Sequence, residues 1–341
     1  MAEISENPGR RPTIYDIAQI AGASPSAVSA ILNGTWKKRR ISAALAERVG
    51  RIAREQGYAV NLQASLLRRD RSRIIGMIIP KYDNRYFGAI AEGFEIRARQ
   101  RGLFPVITCT QRDPALEVEA AREMMSYQAE CLIATGATDP DRIAEVCAQS
   151  GVRTINLDLP GQMMPSVVSD NFGGARDLAA RILDRVQQDF GRAAPLHFIG
   201  GRAQDHNTRE RLRGFLAAHA ERGLAVPESQ RIMHGYSATR TEAALAGLAL
   251  ADGSGVFVNS TIALEGFIRW LYGPGGRPDL RFGCFDWDPF AGFLPQNVGM
   301  MRQDVETMLA RVFELVDRPP DVVRRMDIPC IFTPALPAQD C

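Results

Sequence analysis

The sequence predicts an α/β chain: an all-α head joined to a body of two doubly wound, parallel-sheet lobes. Three observations carry this. Residues 13–34 read as two short helices around a glycine turn, and from Arg73 onward short β-rich runs alternate with amphipathic helices. The third is length, because 341 residues exceed the ~250–300 at which a single core stops growing.

The head begins at Thr13, a good cap for a helix with Asp16 in its first turn and Ile14, Ile17, Ala18 and Ala21 on one apolar face. Gly22 breaks that helix. Ser24 caps a second, Pro25 suits its first position, and Val28, Ile31 and Leu32 turn inward, leaving Ser26, Ala27, Ser29 and Ala30 outside. Asn33-Gly34 ends it. A third helix from Ser42 places Leu45, Val49, Ile52 and Ala53 at core spacing before Gly57. Three such helices make a helix-turn-helix domain.

Charge separates the head from the body. Residues 1–72 carry twelve Arg or Lys and six acids, a balance of +6, whereas the whole chain is +2 and the remainder therefore −4. A basic head on a mildly acidic body is the footprint of a phosphate-binding module attached to something that does not bind nucleic acid. Between Gly34 and Ile41 runs Thr-Trp-Lys-Lys-Arg-Arg, which reads either as a solvated basic loop or as phosphate or base contacts moved from helix to loop at Lys37, Lys38, Arg39 and Arg40. The segment Asn61–Arg68 is shorter than the ~12–15 residues that sustain an isolated helix, so it needs a partner to fold.

In the body, strands are expected at 74–80, 105–110, 131–135, 154–157, 196–199, 231–233, 256–259 and 281–285, with one further helix at 304–316. Two lobes accommodate so many units, the chain crossing near Asp170 and again near Gln303, with a closed barrel as the competing architecture. The domains are then an arm (1–12), the head (13–59), a hinge and linker (60–72), a body (73–333) and a tail (334–341). Lobe 1 takes 73–170 and 303–325, and lobe 2 takes 171–302 and 326–333.

Open α/β sheets bind ligands beyond the carboxyl ends of their strands. Polar residues gather there: Asp83 and Asn84 after the first strand, Asp158 after the fourth, Asn259 and Ser260 after a later one, Asp286 after the last clear one, and Arg211 on a following helix. Each alone could be a turn or cap residue; together they point to a common cleft.

Other classes fit poorly. No GxxxxGK[ST], GxSxG or HExxH occurs, so an enzyme is not indicated and no cofactor is expected. The six cysteines and four histidines are dispersed, which favours buried free thiols and argues against metal or disulfides. No apolar run approaches the ~18–20 residues that span a bilayer, and Met1–Arg11 lacks a signal peptide's apolar stretch, so a cytoplasmic protein is expected. An exported solute-binding protein would need such a signal and would have no use for residues 13–72.

The run Thr13, Tyr15-Asp16-Ile17-Ala18, Ala21-Gly22, Ser24, Val28-Ser29, Leu32-Asn33-Gly34, Gly57-Tyr58, Asn61 and Ala64 resembles the head and hinge of the lactose/galactose-repressor (LacI/GalR) family of bacterial transcription factors. The likeness continues through Ile75–Pro80, Tyr86-Phe87, Asp170-Asn171 with Gly174-Ala175, Arg211–Phe215 and Phe285-Asp286, covering roughly residues 13–333. It implies lobes of periplasmic-binding-protein type joined by three crossovers, a double-stranded operator as one partner and a small effector in the cleft, a sugar or polyol first, with a purine or sugar phosphate as the alternative. It also implies a homodimer, since the tail has no heptad pattern for higher assembly.

By resemblance, duplex contacts fall on Thr13, Tyr15, Ser24, Pro25, Ser26, Ser29, Ala30 and Asn33, and in the hinge on Asn61, Ala64 and Leu67, the last matching a leucine wedged into the minor groove. Arg211, Asn259 and Asp286 match positions that hold ligand hydroxyls. Asp158 and Tyr236 match further cleft positions, and Tyr86 with Phe87 the aromatic pair against the ligand's face. Departures stand out as well. Lys81 and Ser260 replace common acids, Trp287 follows Asp286 where a second Asp is usual and is expected to add an aromatic to the cleft, and the base-reading positions hold only Pro25, Ser26 and Ala30.

Overall fold

A computed structural model describes residues 12–58, 72–248, 250–273, 279–320, 322 and 324–335. The chain divides into two compact units, Met1–Ser72 and Arg73–Cys341. The arm up to Arg11, the hinge positions Asn61, Ala64 and Leu67, and the tail from 336 lie outside the described residues.

The head is three helices, α1 (Ile14–Ala21), α2 (Pro25–Leu32) and α3 (Ala43–Glu55). Thr13 and Asp16 form a reciprocal capping box, the Thr13 amide donating to Asp16 Oδ2 at 2.7 Å, which satisfies donors that the first turn leaves open. Gly22 takes φ 60° to end α1, and the Ser24 hydroxyl accepts from the Ala27 amide at 3.2 Å to start α2. Ile17, Ala18, Ala21, Val28, Ile31, Val49 and Ile52 close a small core. Ala30, expected outside, is 4 % exposed. The chain after α2 folds back over it, with the Thr35 amide and hydroxyl donating to the Ala30 carbonyl at 2.9 and 3.2 Å.

The body holds two six-stranded sheets. In the first, β1 (Ile74–Ile79), β2 (Phe104–Cys109), β3 (Cys131–Thr135), β4 (Arg153–Leu157), β5 (Ser166–Ser169) and β11 (Arg325–Ile328) lie in the order β11-β5-β4-β3-β1-β2, all parallel. Helices α4 (Arg85–Gln100) and α11 (Val305–Asp317) cover one face, and α5 (Pro114–Ser126) and α6 (Pro140–Ala148) the other. In the second sheet, β6 (His197–Ile199), β7 (Arg231–Ile232), β8 (Gly255–Val258), β9 (Arg281–Phe285), β10 (Asn297–Arg302) and β12 (Ile331–Pro334) are ordered β12-β10-β9-β8-β6-β7, parallel except for an antiparallel β10–β12 edge. It is covered by α7 (Asn171–Phe190) and α8 (His206–Ala220) on one side and by α9 (Ala238–Ala246) and α10 (Thr261–Leu271) on the other. Gly214 lets α8 approach α7, because a Cβ there would overlap the Phe172 carbonyl oxygen.

Four strands escape the sequence reading: β5, β10, β11 and β12. Three of them are only four residues long, and β10 carries Gly299 within a break of register. One boundary moves as a consequence. Because β11 pairs with β5, residues 326–328 belong to lobe 1, and the last crossing falls between Ile328 and Ile331. The others fall at Asp170, which caps α7, and at Gln303. Five described cysteines are free thiols, three of them buried; Cys109 and Cys330 are half-buried.

Candidate functional site

Strand ends from both lobes converge on a cavity of about 130 Å³ in the body, well below the ~300–1,000 Å³ that larger organic ligands occupy. Lobe 1 supplies Tyr86 and Phe87 from the first turn of α4, aimed by Asn84, whose Oδ1 accepts from the Tyr86 amide at 2.9 Å. It also supplies Asp158 after β4 and Gln111-Arg112 after β2. Lobe 2 supplies Asn207 and Arg211, one turn apart on α8, with Tyr236, Asp286 and Arg202. Gln303 enters from a crossover.

The polar groups form one chain across the lobes. Asp158 Oδ1 accepts from the Tyr86 hydroxyl at 3.1 Å and from Asn207 Nδ2 at 3.0 Å. Asn207 Oδ1 accepts from Asn171 at 3.1 Å, and Asn171 Oδ1 in turn accepts from Arg211 Nε at 2.8 Å. Arg211 also donates Nη1 to the Asn259 carbonyl at 2.7 Å and stacks 3.8 Å from the centre of the Phe285 ring. Gln303 donates to Asp286 Oδ1. Among the described residues, Asp158 Oδ2, Asp286 Oδ2 and Arg211 Nη2 have no hydrogen-bond partner. Two acceptors and a donor are therefore open in a cavity walled by Tyr86 and Phe87, whose ring centres lie 5.0 Å apart. That is a complement to adjacent hydroxyls, since each open carboxylate oxygen accepts from one and the remaining guanidinium nitrogen donates to another.

Burial drives the electrostatics. It pushes both Asp158 and Asp286 above the usual carboxylate range; Arg211 opposes this at each, and Arg112 and the Tyr86 hydrogen bond at Asp158. Burial also raises the Tyr86 phenol well above its usual value, reinforced by the charges of Asp158 and Asp286.

The backbone is unusual here too. Of seven non-glycine residues with positive φ among the described residues, four line this cavity: Gln111 (54°), Arg112 (58°), Asp158 (74°) and Asp286 (72°). Such conformations persist where surrounding structure over-determines them, and they cluster at ligand sites.

Three expected cleft residues lie elsewhere. Asp83 is exposed and pairs with Lys81 at 3.9 Å, because Asn84 caps α4 and leaves Asp83 outside the turn. Asn259 is fully buried behind the wall, Nδ2 donating to Thr208 at 3.3 Å while its carbonyl holds Arg211. Trp287, 39 % exposed, lines an adjoining groove with Arg85 and Arg302. Conversely, Asn207, Arg112, Arg202 and Gln303 line the cavity although the strand-end pattern does not point to them. Helical spacing from Arg211 signals Asn207; the remaining three depend on loop paths that no local pattern sets. Tyr236 is where expected, its hydroxyl 3.1 Å from Thr208, with Arg112 and Arg202 5.7 and 5.9 Å from its ring centre.

In the head, Tyr15 is 71 % exposed, and Ser24, Pro25 and Ser26 stand at the start of α2, all three exposed. Thr13 is engaged in its capping box, and Asn33 Nδ2 donates to the Ser29 carbonyl at 2.8 Å. Lys37, Lys38, Arg39 and Arg40 are all exposed. Among the described residues no cluster of metal-ligating side chains occurs, and no helix is long and apolar enough to cross a membrane.

The sequence and the fold both have known relatives. Residues 13–61 match the family of bacterial regulatory proteins of lacI type, and residues 72–251 match the periplasmic binding proteins and sugar binding domain of the LacI family. The chain is 63 % identical over 193 residues to the ribitol operon repressor of Klebsiella aerogenes, covering 57 % of this chain and 72 % of that protein. It is 29 % identical over 266 residues to the sucrose operon repressor of Klebsiella pneumoniae, covering 77 % and 78 % of the two. In fold it is similar to the lac repressor dimer bound to operator and the anti-inducer ONPF, with a TM-score of 0.77 at 20 % identity over 95 % of this chain and 98 % of that one.

Proposed function

Because the chain belongs to the LacI family of bacterial regulatory proteins, we propose that it is an operon repressor whose cleft senses a small acyclic polyol of the pentitol class. The protein is a sugar-responsive DNA-binding regulator rather than an enzyme; the pentitol is the narrower step. One observation carries it. Asp158 and Asp286, both buried, each leave one oxygen open beside Arg211 in a cavity of about 130 Å³, matched to a few adjacent hydroxyls of a small ligand. The 63 % identity to a ribitol operon repressor supports the same class.

In this reading Asp158, Asp286, Arg211 and Asn207 hold hydroxyls, while Tyr86 and Phe87 cover the carbon chain. Asp158 and Arg112 come from lobe 1 and Asn207 and Arg211 from lobe 2, so a bound polyol draws on both lobes and biases their closure. Closure is the element whose equilibrium ligand and operator share. The protein acts as a homodimer on a pseudo-palindromic operator, in the cytoplasm, where that DNA resides. Thr13, Tyr15, Ser24, Pro25, Ser26, Ser29 and Asn33 surround the groove contact, and Leu67 serves as the hinge wedge.

Lys81, Arg112 and Arg202 on the lining favour a second reading, a phosphorylated sugar or polyol. Thermal unfolding of the full chain with ribitol, arabitol, xylitol, their phosphates and sucrose separates the two. A rise in Tm with a free pentitol and none with sucrose supports the proposal. A response confined to the phosphates overturns it in favour of the second reading.

A further inference from the structure

The stretch Thr35–Arg40 is a built turn. The Thr35 amide and hydroxyl tie it to the Ala30 carbonyl in the last turn of α2, and the amides of Arg39 and Ile41 donate to the Trp36 carbonyl at 3.1 Å each. Trp36 itself packs, partly buried, on the head core. Arg40 takes φ 53° to close the turn before α3. Around this anchor Lys37, Lys38, Arg39 and Arg40 are all exposed to solvent, and none of the four has an acidic partner among the described residues. Lys37 Nζ sits 5.5 Å from the centre of the Trp36 ring.

Helix α2 shows the complementary deficit. From Pro25 to Ala30 its longest polar side chain is serine, and Ala30 is covered. Serine makes single hydrogen bonds and cannot supply the paired contacts by which arginine, glutamine or asparagine read a base edge. A head that recognises DNA with such a helix must draw its affinity from elsewhere, and the densest exposed positive charge of the head adjoins the end of that helix.

We propose that the Trp36-anchored turn is a second nucleic-acid contact, whose four cations take successive backbone phosphates of the duplex that α2 enters. The inference rests on the reading of the head as DNA-binding and adds a sequence-independent clamp to it. Anchoring matters because cations held on a fixed turn lose less freedom on meeting phosphate than the same cations on a free loop. Such contacts position the protein and release condensed counterions without reading sequence.

The test uses the full chain, a mixed-sequence duplex of about 30 base pairs and a duplex selected by the parent protein from a random pool, with affinity followed by anisotropy between about 50 and 200 mM salt. The variant is K37Q/K38Q/R39Q/R40Q. Its slope of log affinity against log salt is expected to fall by ~0.9 for each phosphate that a subunit no longer neutralises, with binding at the low-salt end about tenfold weaker per phosphate. The weakening should be equal on both duplexes, leaving their affinity ratio unchanged. An unchanged thermal transition in the variant excludes misfolding as the cause. A slope equal to the parent's overturns the clamp while leaving the DNA-binding reading intact, and a parent that binds neither duplex at low salt removes both. Weakening confined to the selected duplex also overturns the proposal, since it makes the turn a base reader.

Discussion

Arg211 offers the sharpest test of the cleft, and Arg211→Lys is the informative change because it keeps the charge. The residue is 3 % exposed, and its guanidinium donates to Asn171 Oδ1 at 2.8 Å and to the Asn259 carbonyl at 2.7 Å while lying 3.8 Å from the centre of the Phe285 ring. An ammonium on a flexible stem keeps a positive charge near Asp158 and Asp286 but cannot hold both acceptors at the angle a planar fork provides. Losing one charged hydrogen bond costs about 1.5–3 kcal/mol, and weakening the ring contact of a desolvated cation removes a further ~0.5–2 kcal/mol. The sum, roughly 2–5 kcal/mol, corresponds to a fall in Tm of roughly 5–15 °C for a body of this size. Calorimetry of the full chain, with and without ribitol, reads both the fall and the loss of the ligand-induced rise. A lysine variant that melts within about 1 °C of the parent and keeps its response to ligand refutes the assignment of Arg211 as the keystone of this network. Arg211→Ala should be worse still, because it removes both hydrogen bonds and a charge that opposes burial at Asp158 and Asp286.

The buried acids give a pH signature. Burial raises the Asp158 carboxyl in the folded chain, so its contribution to stability is complete below the unfolded value of about 3.9 and is lost as pH rises through the higher folded value. Asp158→Asn should therefore gain on the parent with rising pH across that window, measured as the difference in denaturant midpoint; a difference that is flat or shrinks with pH contradicts the assignment. Gly214→Ala should destabilise the body by ~1–3 kcal/mol, because the new methyl meets the Phe172 carbonyl across the α7–α8 contact; thermal unfolding at the parent's Tm would expose an error. Leu67→Ala should weaken operator binding and reduce bending of the duplex in a circular-permutation assay, and parent-like bending would remove the wedge from the mechanism.

The legible parts of the fold were those with long or repetitive signals. Ile74–Ile79 is a continuous apolar run and could hardly be missed, and Thr13, Gly22 and Ser24 mark helix ends by chemistry that acts within four residues. Strand β11, Arg-Met-Asp-Ile, is polar at alternate positions and short, and only its pairing with β5, a strand distant in sequence, makes it one. The site divides in the same way. Asp158, Arg211 and Asp286 stand directly at strand ends or on the helix after one, where topology alone brings them to the cleft. Asp83 and Asn84 are neighbours in sequence, yet the cap geometry of α4 turns one outward and the other in. Asn259 had the right type and position but serves from behind, offering its carbonyl rather than its amide.

The four left-handed residues around the cavity have a consequence for how this family member can change. Asp158 and Asp286 each stand on a left-handed turn of their own backbone, so the point from which each acid enters the cavity is set when its own lobe folds, and lobe closure sets the separation of the two. Exchanging their neighbours Arg202 or Tyr236 would alter what lies around a ligand and leave those two turns untouched. A lineage or a designer seeking a new effector thus has two backbone-anchored acids and an adjustable surround, and selection for altered effectors should gather its changes in the surround while the two carboxylates stay in place.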